Sequence, residues 1–329
     1  MLALIYVSAL WAPAASGEAR PETKTADQWT EIAGQALKEG NRSKAVEALQ
    51  AAIAADPANG AAGLLITTLH QSGRVEDAYA LGERYQSNGP RNPRALFRFG
   101  WLLAFLGENT RAEALFHELV AMDKGGIYEA WGNGELAYLA RARGDAQGAV
   151  SFMERAVAAR PDDMISRVGL AQMRVEAGDP HTAIKSLEAE LKADPAARGY
   201  GGTPAALVLA WAYQEAGDSG AAAALLDPLE KKLFANVPDG ASRQLGMEPM
   251  QSARQIAFLA IAGRRDQAIA LSKRTPVIPL YGAPDPRDGM FSSLQGEPNY
   301  EALLARSRAE VDAERKRLGL PPLRTFLLE

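Results

Sequence analysis

Residues 136–161 read LAYLARARGDAQGAVSFMERAVAARP, and this stretch decides the fold of the chain. Apolar and small side chains recur at helical spacing on both sides of Gly144, and Ala149 stands five residues after that glycine. Glycine favours a left-handed backbone at the end of a helix, whereas a proline such as Pro161 stops the helix before it. The stretch therefore predicts two short helices joined by a tight turn.

The same Gly/Ala spacing recurs along the chain. The pairs are Gly40/Ala45, Gly73/Ala78, Gly107/Ala112, Gly144/Ala149, Gly178/Ala183, Gly217/Ala222 and Gly263/Ala268. Successive alanines lie 33, 34, 37, 34, 39 and 46 residues apart. Such a period is typical of a solenoid, in which each helical pair buries its apolar side against its neighbours. We expect seven stacked pairs over residues 26–275.

Each repeat carries signals for its turns and helix ends. We expect each glycine to adopt positive φ, and the small alanine to let the two helices approach closely. Four polar residues after the turn glycines can cap the second helix, namely Asn41, Asp145, Asp179 and Asp218. Four prolines are placed to end second helices, namely Pro57, Pro90, Pro161 and Pro195. Extra residues at 124–126, 198–202 and 234–250 fall between repeats, and we interpret the second of these as a hinge and the third as a loop.

The pattern resembles the tetratricopeptide repeat (TPR) family. The third repeat carries the family's signature positions as Leu96, Phe99, Gly100, Leu103, Ala112, Phe116 and Leu119. The first carries them as Trp29, Ile32, Ala33, Ala36, Ala45, Leu49, Ala52 and Pro57, while the second departs from them at Gly82 and Tyr85. The resemblance implies an all-α, right-handed α-solenoid of helix-turn-helix repeats.

The resemblance also implies that the first helix of each repeat lines a concave groove. The groove residues expected on this basis are Arg94, Phe97, Trp101, Phe105, Tyr138, Arg141, Gln172, Trp211 and Gln214. We expect Trp101, Tyr138 and Trp211 to be exposed in the groove, because other residues fill the packing positions. The alternative is that these rings belong to the core, as aromatic side chains at helical spacing often do. Aromatic residues combined with arginine are typical of interaction hot spots.

Nothing in the sequence indicates catalysis. The chain has 329 residues, no cysteine, three histidines scattered over different repeats and a formal charge of −4. No phosphate-binding loop or nucleophile motif occurs, and the mild acidity argues against nucleic-acid binding. We expect no metal and no cofactor. An enzymatic alternative would need paired carboxylates in the groove, such as Glu176 and Glu215.

The N-terminus favours export. Residues 1–17 combine an apolar run with small residues, as in a secretory signal peptide, although no basic residue precedes the run. Part of a longer membrane helix, or an apolar arm of a cytoplasmic protein, remain alternatives. Residues 18–25 read as a polar linker. We expect a periplasmic or exported bacterial protein, with a membrane tether or a cytoplasmic location as the other readings.

The C-terminal part departs from the repeats. Residues 276–297 are proline-rich and are predicted to be extended, and residues 298–329 are predicted to form a helix and tail that cap the last repeat. This region is similar to the ends of TPR regions in multidomain bacterial signalling proteins.

The favoured function is non-catalytic binding of a protein or peptide in an aromatic groove. The alternative is a sensor fragment whose cyclase, kinase or winged-helix domain is missing.

Overall fold

The computed structural model describes residues 24–87, 91–235, 248–278, 280–281 and 289–323. Within these residues the chain is helical, and the α-helices are α1 Ala26–Lys38, α2 Arg42–Ala55, α3 Ala61–Gln71, α4 Val75–Ser87, α5 Pro93–Phe105, α6 Asn109–Met122, α7 Ile127–Ala142, α8 Ala146–Ala159, α9 Met164–Glu176, α10 Pro180–Ala193, α11 Ala205–Glu215, α12 Ser219–Phe234, α13 Glu248–Ile261, α14 Arg265–Arg274 and α15 Pro298–Arg317. Two 3₁₀ helices lie at Tyr200–Gly202 and Gly289–Leu294. The helices α1–α14 pack in sequence as antiparallel pairs, which confirms an all-α solenoid.

The turn glycines behave as the repeat pattern predicts. All seven have φ between +69° and +84°. In the first pair, Gly40 N–H donates to Leu37 O and Asn41 N–H donates to Ala36 O, which closes the last turn of α1. The seven alanines five residues later are at most 1% exposed. The predicted close approach of the two helices is therefore confirmed in every pair.

The predicted helix ends are also confirmed. Asn41, Asp145, Asp179 and Asp218 each accept a backbone hydrogen bond from the third residue of the following helix. The helices α2, α8 and α10 end two residues before a proline, and the intervening residue is extended after α2 and α10. This is the conformation that proline imposes on its predecessor. Pro90 lies outside the described residues.

The second pair departs from the family pattern for a packing reason. Gly82 on α4 leaves space that the ring of Phe99 on α5 fills: a Cβ on Gly82 would lie 2.0 Å from Phe99 Cδ2. Tyr85 compensates at the next turn, where it is 2% exposed and donates a hydrogen bond to Pro57 O at 2.9 Å. Gly82 stands where the family pattern has a large residue, and the ring of Phe99 from the neighbouring pair fills the space that this leaves.

The C-terminal part contains more structure than the sequence predicts. Residues Gly289–Leu294 are a 3₁₀ helix with Met290, Phe291 and Leu294 buried, so the expectation of a fully extended segment over 276–297 is wrong there. These apolar side chains pack on α13 and α14, which favours the compact 3₁₀ conformation of residues Gly289–Leu294. Helix α15 packs on α14 and ends before Gly319, as predicted.

Helix α15 also reaches back to the early repeats, beyond the predicted cap. Arg315, whose side chain is 6% exposed, donates to Leu106 O and pairs with Glu108 at 3.0 Å. Glu314 accepts from His70 at 3.1 Å. Because His70 and Leu106 belong to the second and third pairs, α15 joins the end of the solenoid to its first half.

The insertion at residues 198–202 is more ordered than expected. Residues 198–204 form a closed loop in which Gly199 N–H donates to Thr203 O at 2.8 Å, and both Gly201 and Gly202 have positive φ. The loop is anchored on α9 and α13 instead of acting as a hinge. In the 234–250 segment, α13 already begins at Glu248, and residues 236–247 lie outside the described part.

The predicted N-terminal segment, residues 1–17, and most of its linker lie outside the described residues. In the ranges that the structure covers, none of the helices combines the length and the apolar character needed to cross a bilayer.

Candidate functional site

A cleft of about 510 Å³ opens along the first helices of the central repeats. Helices α5, α7 and α9 supply most of its wall, and the 198–204 loop and Met250 of α13 close one side. Three of the predicted groove residues line it, namely Phe97, Trp101 and Tyr138. The volume lies in the range of ligand pockets in proteins.

The wall of the cleft is largely aromatic. Phe97 packs against Trp131 with ring centroids 5.2 Å apart, and Trp101 stacks on Phe105 at 5.8 Å. Ile165 on the opposite side is 42% exposed, which is high for so large an apolar side chain. The cleft therefore offers rings and an aliphatic side chain to whatever enters it.

Tyr138 is buried, which contradicts the expectation that it is exposed in the groove. It is 2% exposed, because Tyr200 from the 198–204 loop covers it with ring centroids 4.8 Å apart. Tyr200 also accepts a hydrogen bond from Trp101 Nε1 at 2.6 Å, so Trp101 is only partly exposed. The sequence interpretation failed here because it placed the 198–202 insertion outside the groove.

A buried carboxyl group lies at the floor of the cleft. Glu135 is 2% exposed and accepts a 2.5 Å hydrogen bond from Tyr281, which belongs to residues 276–297, here called the C-terminal segment. Tyr200 forms a second hydrogen bond with the same carboxyl group. Three separate segments, namely α7, the 198–204 loop and the C-terminal segment, thus meet at Glu135.

Burial raises the pKa of Glu135 from 4.5 to about 7, against the opposing effect of the bonds from Tyr281 and Tyr200 and of the charge of Arg98. Burial, followed by the neighbouring Glu135, raises the pKa of both tyrosines well above 10, so both keep their protons and remain donors. A carboxyl group with such a pKa changes its charge near neutral pH.

Trp211 and Gln214 are also placed differently from the expectation. Trp211 is 3% exposed because the C-terminal segment covers it: a Cβ on Gly289 would lie 2.6 Å from its ring. Its Nε1 donates to Glu215 at 3.1 Å. Gln214 donates to Ile261 O at 3.3 Å and so ties α11 to α13. Neither residue lines the cleft.

Arg141 and Gln172 form a separate polar cluster around Glu176. Arg141 pairs with Glu176 at 3.3 Å, with both side chains largely buried, and Gln172 is 3% exposed. The guanidinium of Arg141 also lies 5.0 Å from the Tyr138 ring centroid. Because Glu176 is paired with Arg141 and Glu215 with Trp211, the enzymatic alternative gains no support from these two carboxylates.

Arg94 and Phe105 lie at the N-terminal side of the cleft. Arg94 is exposed and packs its side chain over Gly60 and Gly63 of the second pair. Phe105 is half-buried against His70, with ring centroids 4.8 Å apart. Both residues therefore contact the neighbouring repeat and do not line the cleft itself.

Among the residues that the sequence interpretation missed are Glu135 and Tyr200, which line the cleft, and Tyr281, which donates a hydrogen bond to Glu135. Only Glu135 carried a signal: it precedes Tyr138 by one helical turn and so shares the groove face of α7. The positions of Tyr200 and Tyr281 depend on two loops that fold into the groove. Within the described ranges, no group of three or more His, Cys, Asp or Glu side chains is arranged to hold a metal ion.

Comparisons with known proteins agree with the repeat architecture. The sequence profile described as "Tetratricopeptide repeat" matches residues 32–93 and 97–164. No curated protein sequence matches the chain significantly. The chain is structurally similar to a tetratricopeptide repeat protein from Parabacteroides merdae, with a TM-score of 0.52 and 15% identity over 86% of this chain and 98% of that one.

Two further solved structures share the fold. PilF of Pseudomonas aeruginosa has a TM-score of 0.51 and 16% identity, over 64% of this chain and 93% of its own. PilW, a type IV pilus biogenesis factor, has a TM-score of 0.52 and 15% identity, over 67% and 96%. The total of seven family repeats and the similarity of the tail to signalling proteins stay predictions. Residues 32–93 and 97–164 therefore carry tetratricopeptide repeats, and the later helical pairs share the same positive-φ turn glycines and buried alanines.

Proposed function

We propose that this protein is a non-catalytic scaffold that binds a protein partner by taking an apolar side chain of a peptide segment into the aromatic cleft. The observation that carries the proposal is the aromatic wall of the cleft, where Trp101 and Trp131 are partly exposed near the exposed Ile165. Phe97 is only 6% exposed and packs against Trp131. Burying one large apolar side chain there contributes about 2 kcal/mol. Aromatic walls of this kind supply most of the binding energy in many interfaces.

The shape of the groove favours a short segment over a long one. Tyr200 covers Tyr138, and Gly289 covers Trp211, so the column of rings is interrupted in its middle and at its end. An extended peptide running along the whole groove would have to displace both contacts. A partner that inserts one or two side chains between α5, α7 and α9 leaves them in place.

Gly134 allows the proposal to be tested without damage to the fold. It lines the cleft on α7, and a Cβ placed there meets no atom within 4 Å. The variant Gly134→Leu fills the cleft, and it removes a glycine from a helix interior, which favours the helix by about 0.5–1 kcal/mol. Gly34→Leu is the matched control, because Gly34 is equally open but lies on α1, away from the cleft.

The experiment is selection of a displayed random peptide library on the immobilised protein. We expect sequences enriched on the wild-type protein and on Gly34→Leu to be lost from Gly134→Leu, while circular dichroism shows all three proteins folded. Recovery of the same sequences on Gly134→Leu would contradict binding in the cleft.

The location of the protein is a separate proposal, supported by the apolar residues 2–11 and the small residues after them. We expect residues 1–26 to export a fused alkaline phosphatase, which is active only outside the bacterial cytoplasm. Leu10→Arg in the apolar run should abolish that activity. A fusion that stays inactive without the substitution would contradict export.

A further inference from the structure

Two arginines at the cleft have no acidic partner among the described residues. Arg98 lines the cleft with its guanidinium 5.5 Å from the Phe97 ring centroid, and within the described ranges it makes no ion pair or hydrogen bond. Arg198 lines the opposite side, where Nη1 donates to Gly202 O at 3.0 Å. A backbone carbonyl does not neutralise a guanidinium, so neither arginine is ion-paired among the described residues, although the charge of Arg98 acts on Glu135 without a direct contact.

A third cation lies beneath the 198–204 loop. Arg254 is 6% exposed and donates to Gly201 O at 2.6 Å and to Gln251 Oε1 at 3.1 Å, both uncharged acceptors. Burial, followed by repulsion from Arg198, lowers the pKa of Arg254. No carboxylate pairs with Arg254 within the ranges that the structure describes, and a buried unpaired cation is costly in an isolated fold. It makes this side of the cleft electropositive.

The two acids that line the cleft form no ion pair with these arginines. Asp163 caps α9 and accepts from Ser166 N at 3.2 Å and from Ser166 Oγ at 2.5 Å. Glu135 is held by two tyrosines, and no hydrogen bond joins it to Arg98 in the described part of the chain. The anions already present are therefore committed to protein donors, and the guanidinium groups on the rim are left for another acceptor.

We propose, on the basis of the proposed function, that the cleft binds an acidic peptide segment, in which carboxylates flank the inserted apolar side chain and pair with Arg98 and Arg198. Arginine offers two parallel donors to a carboxylate, and such charge-assisted bonds are stronger than neutral ones. The surrounding apolar wall lowers the local dielectric and strengthens them further. A basic segment is repelled by the same field.

The probes are three fluorescein-labelled ten-residue peptide pools with the same central pair drawn from Phe, Leu, Ile, Met and Trp. Four flanking positions are all Asp in one pool, all Asn in the second and all Lys in the third. Fluorescence anisotropy with the full chain should give at least tenfold tighter binding for the Asp pool than for the Asn pool, and the weakest binding for the Lys pool.

Two variants assign the effect to the named residues. Arg98→Gln combined with Arg198→Gln should reduce the affinity of the Asp pool to that of the Asn pool and leave the Asn pool unchanged. Arg155→Gln is the matched control, because Arg155 is an exposed arginine of α8 outside the cleft. It should change the affinity of neither the Asp pool nor the Asn pool. Gly134→Leu should weaken binding of every pool, because the apolar side chain no longer enters.

A dependence on pH adds a signature that non-specific attraction does not produce. Glu135 faces Arg98 of α5, Tyr200 of the 198–204 loop and Tyr281 of the C-terminal segment, and a carboxylate bound at Arg98 would repel its ionised form. The Asp pool should therefore bind severalfold more tightly at pH 6 than at pH 8. Glu135→Gln should remove the difference.

The outcomes separate the two proposals. Equal binding of the Asp and Asn pools, or unchanged binding after the double arginine substitution, would overturn the acidic segment and leave the aromatic cleft as a binding site. Absence of binding by all three pools, or binding unaffected by Gly134→Leu, would overturn both.

Discussion

The hydroxyl of Tyr281 donates a 2.5 Å hydrogen bond to Oε2 of Glu135, which lies 146 residues earlier in the chain. This bond ties the C-terminal segment to the fourth helical pair, in a fold where each pair otherwise contacts its neighbours in sequence. Together with the contacts of α15 with the second and third pairs, it makes the stability of the central repeats depend on the C-terminal part.

Glu135 makes stability depend on pH. Its folded pKa of about 7 lies above the unfolded value of 4.5, so the folded protein holds the proton more strongly between these values. The contribution of Glu135 to stability is therefore full below pH 4.5, falls as the pH rises towards 7 and levels off above it. The contribution is on the order of 3 kcal/mol.

Urea unfolding at pH 5, 6, 7 and 8 measures how the free energy of unfolding changes with pH, and Glu135→Gln provides the comparison. The glutamine variant should have a nearly flat profile over this range and should exceed the wild type at pH 8. Parallel profiles for the two proteins would mean that Glu135 does not titrate as described.

Tyr281→Phe should release the C-terminal segment from the cleft. The substitution removes a buried hydrogen bond to a carboxyl group, and we expect a loss of about 1.5–3 kcal/mol in stability. Amide hydrogen exchange should become faster in α7 and in the 198–204 loop. Tyr213→Phe is the control, because Tyr213 makes an equally short bond to Glu188 at an exposed site and its loss should cost little. Equal effects of the two substitutions would contradict the special position of Tyr281.

Gly82→Ala should destabilise the second repeat, because the added Cβ would lie 2.0 Å from the Phe99 ring. Overpacking of this kind costs about 1–3 kcal/mol. Gly34→Ala, with nothing within 4 Å of the new Cβ, should instead gain about 0.5–1 kcal/mol from helix propensity. Thermal unfolding followed by circular dichroism measures the stability of the two variants. An increase in stability from both substitutions would show that Phe99 does not fill the space over Gly82.

Arg315→Gln should detach α15 from the early repeats. Arg315 donates to Leu106 O and to Pro321 O and pairs with Glu108, and its side chain is only 6% exposed. We expect a loss of about 2–4 kcal/mol, since a largely buried Glu108 loses its cation. Arg317→Gln, which removes a largely exposed charge, should change the urea midpoint little. If Arg317→Gln is the more damaging of the two, the account of how α15 docks is wrong.

The repeats could be predicted from the sequence because their signals are local. Each turn glycine is followed five residues later by an alanine, as Gly144 is by Ala149, and four of the seven are also followed by a proline. Backbone geometry alone fixes what the glycines and prolines do. The signature packing positions could likewise be assigned, and Phe99 is buried as their pattern requires.

The site could be predicted only in part, because its remaining residues come from outside the periodic pattern. Phe97 and Trp101 line the cleft at positions that the helical phase predicts. The burial of Tyr138 and Trp211 depends on Tyr200 and Gly289, whose segments fold back over the groove through contacts distant in sequence. The repeat period of the sequence does not indicate whether a segment between or after the repeats folds back over the groove.

The five tryptophans of the chain allow the binding site to be located directly. Fluorine NMR of the protein labelled with 5-fluorotryptophan, titrated with the Asp peptide pool, reports on each ring separately. Trp101 and Trp131 line the cleft, whereas Trp29 and Trp211 do not. The account predicts that the signals of Trp101 and Trp131 shift and saturate together while those of Trp29 and Trp211 stay fixed. Shifts confined to Trp29 or Trp211, or no shift at any ring, would contradict it.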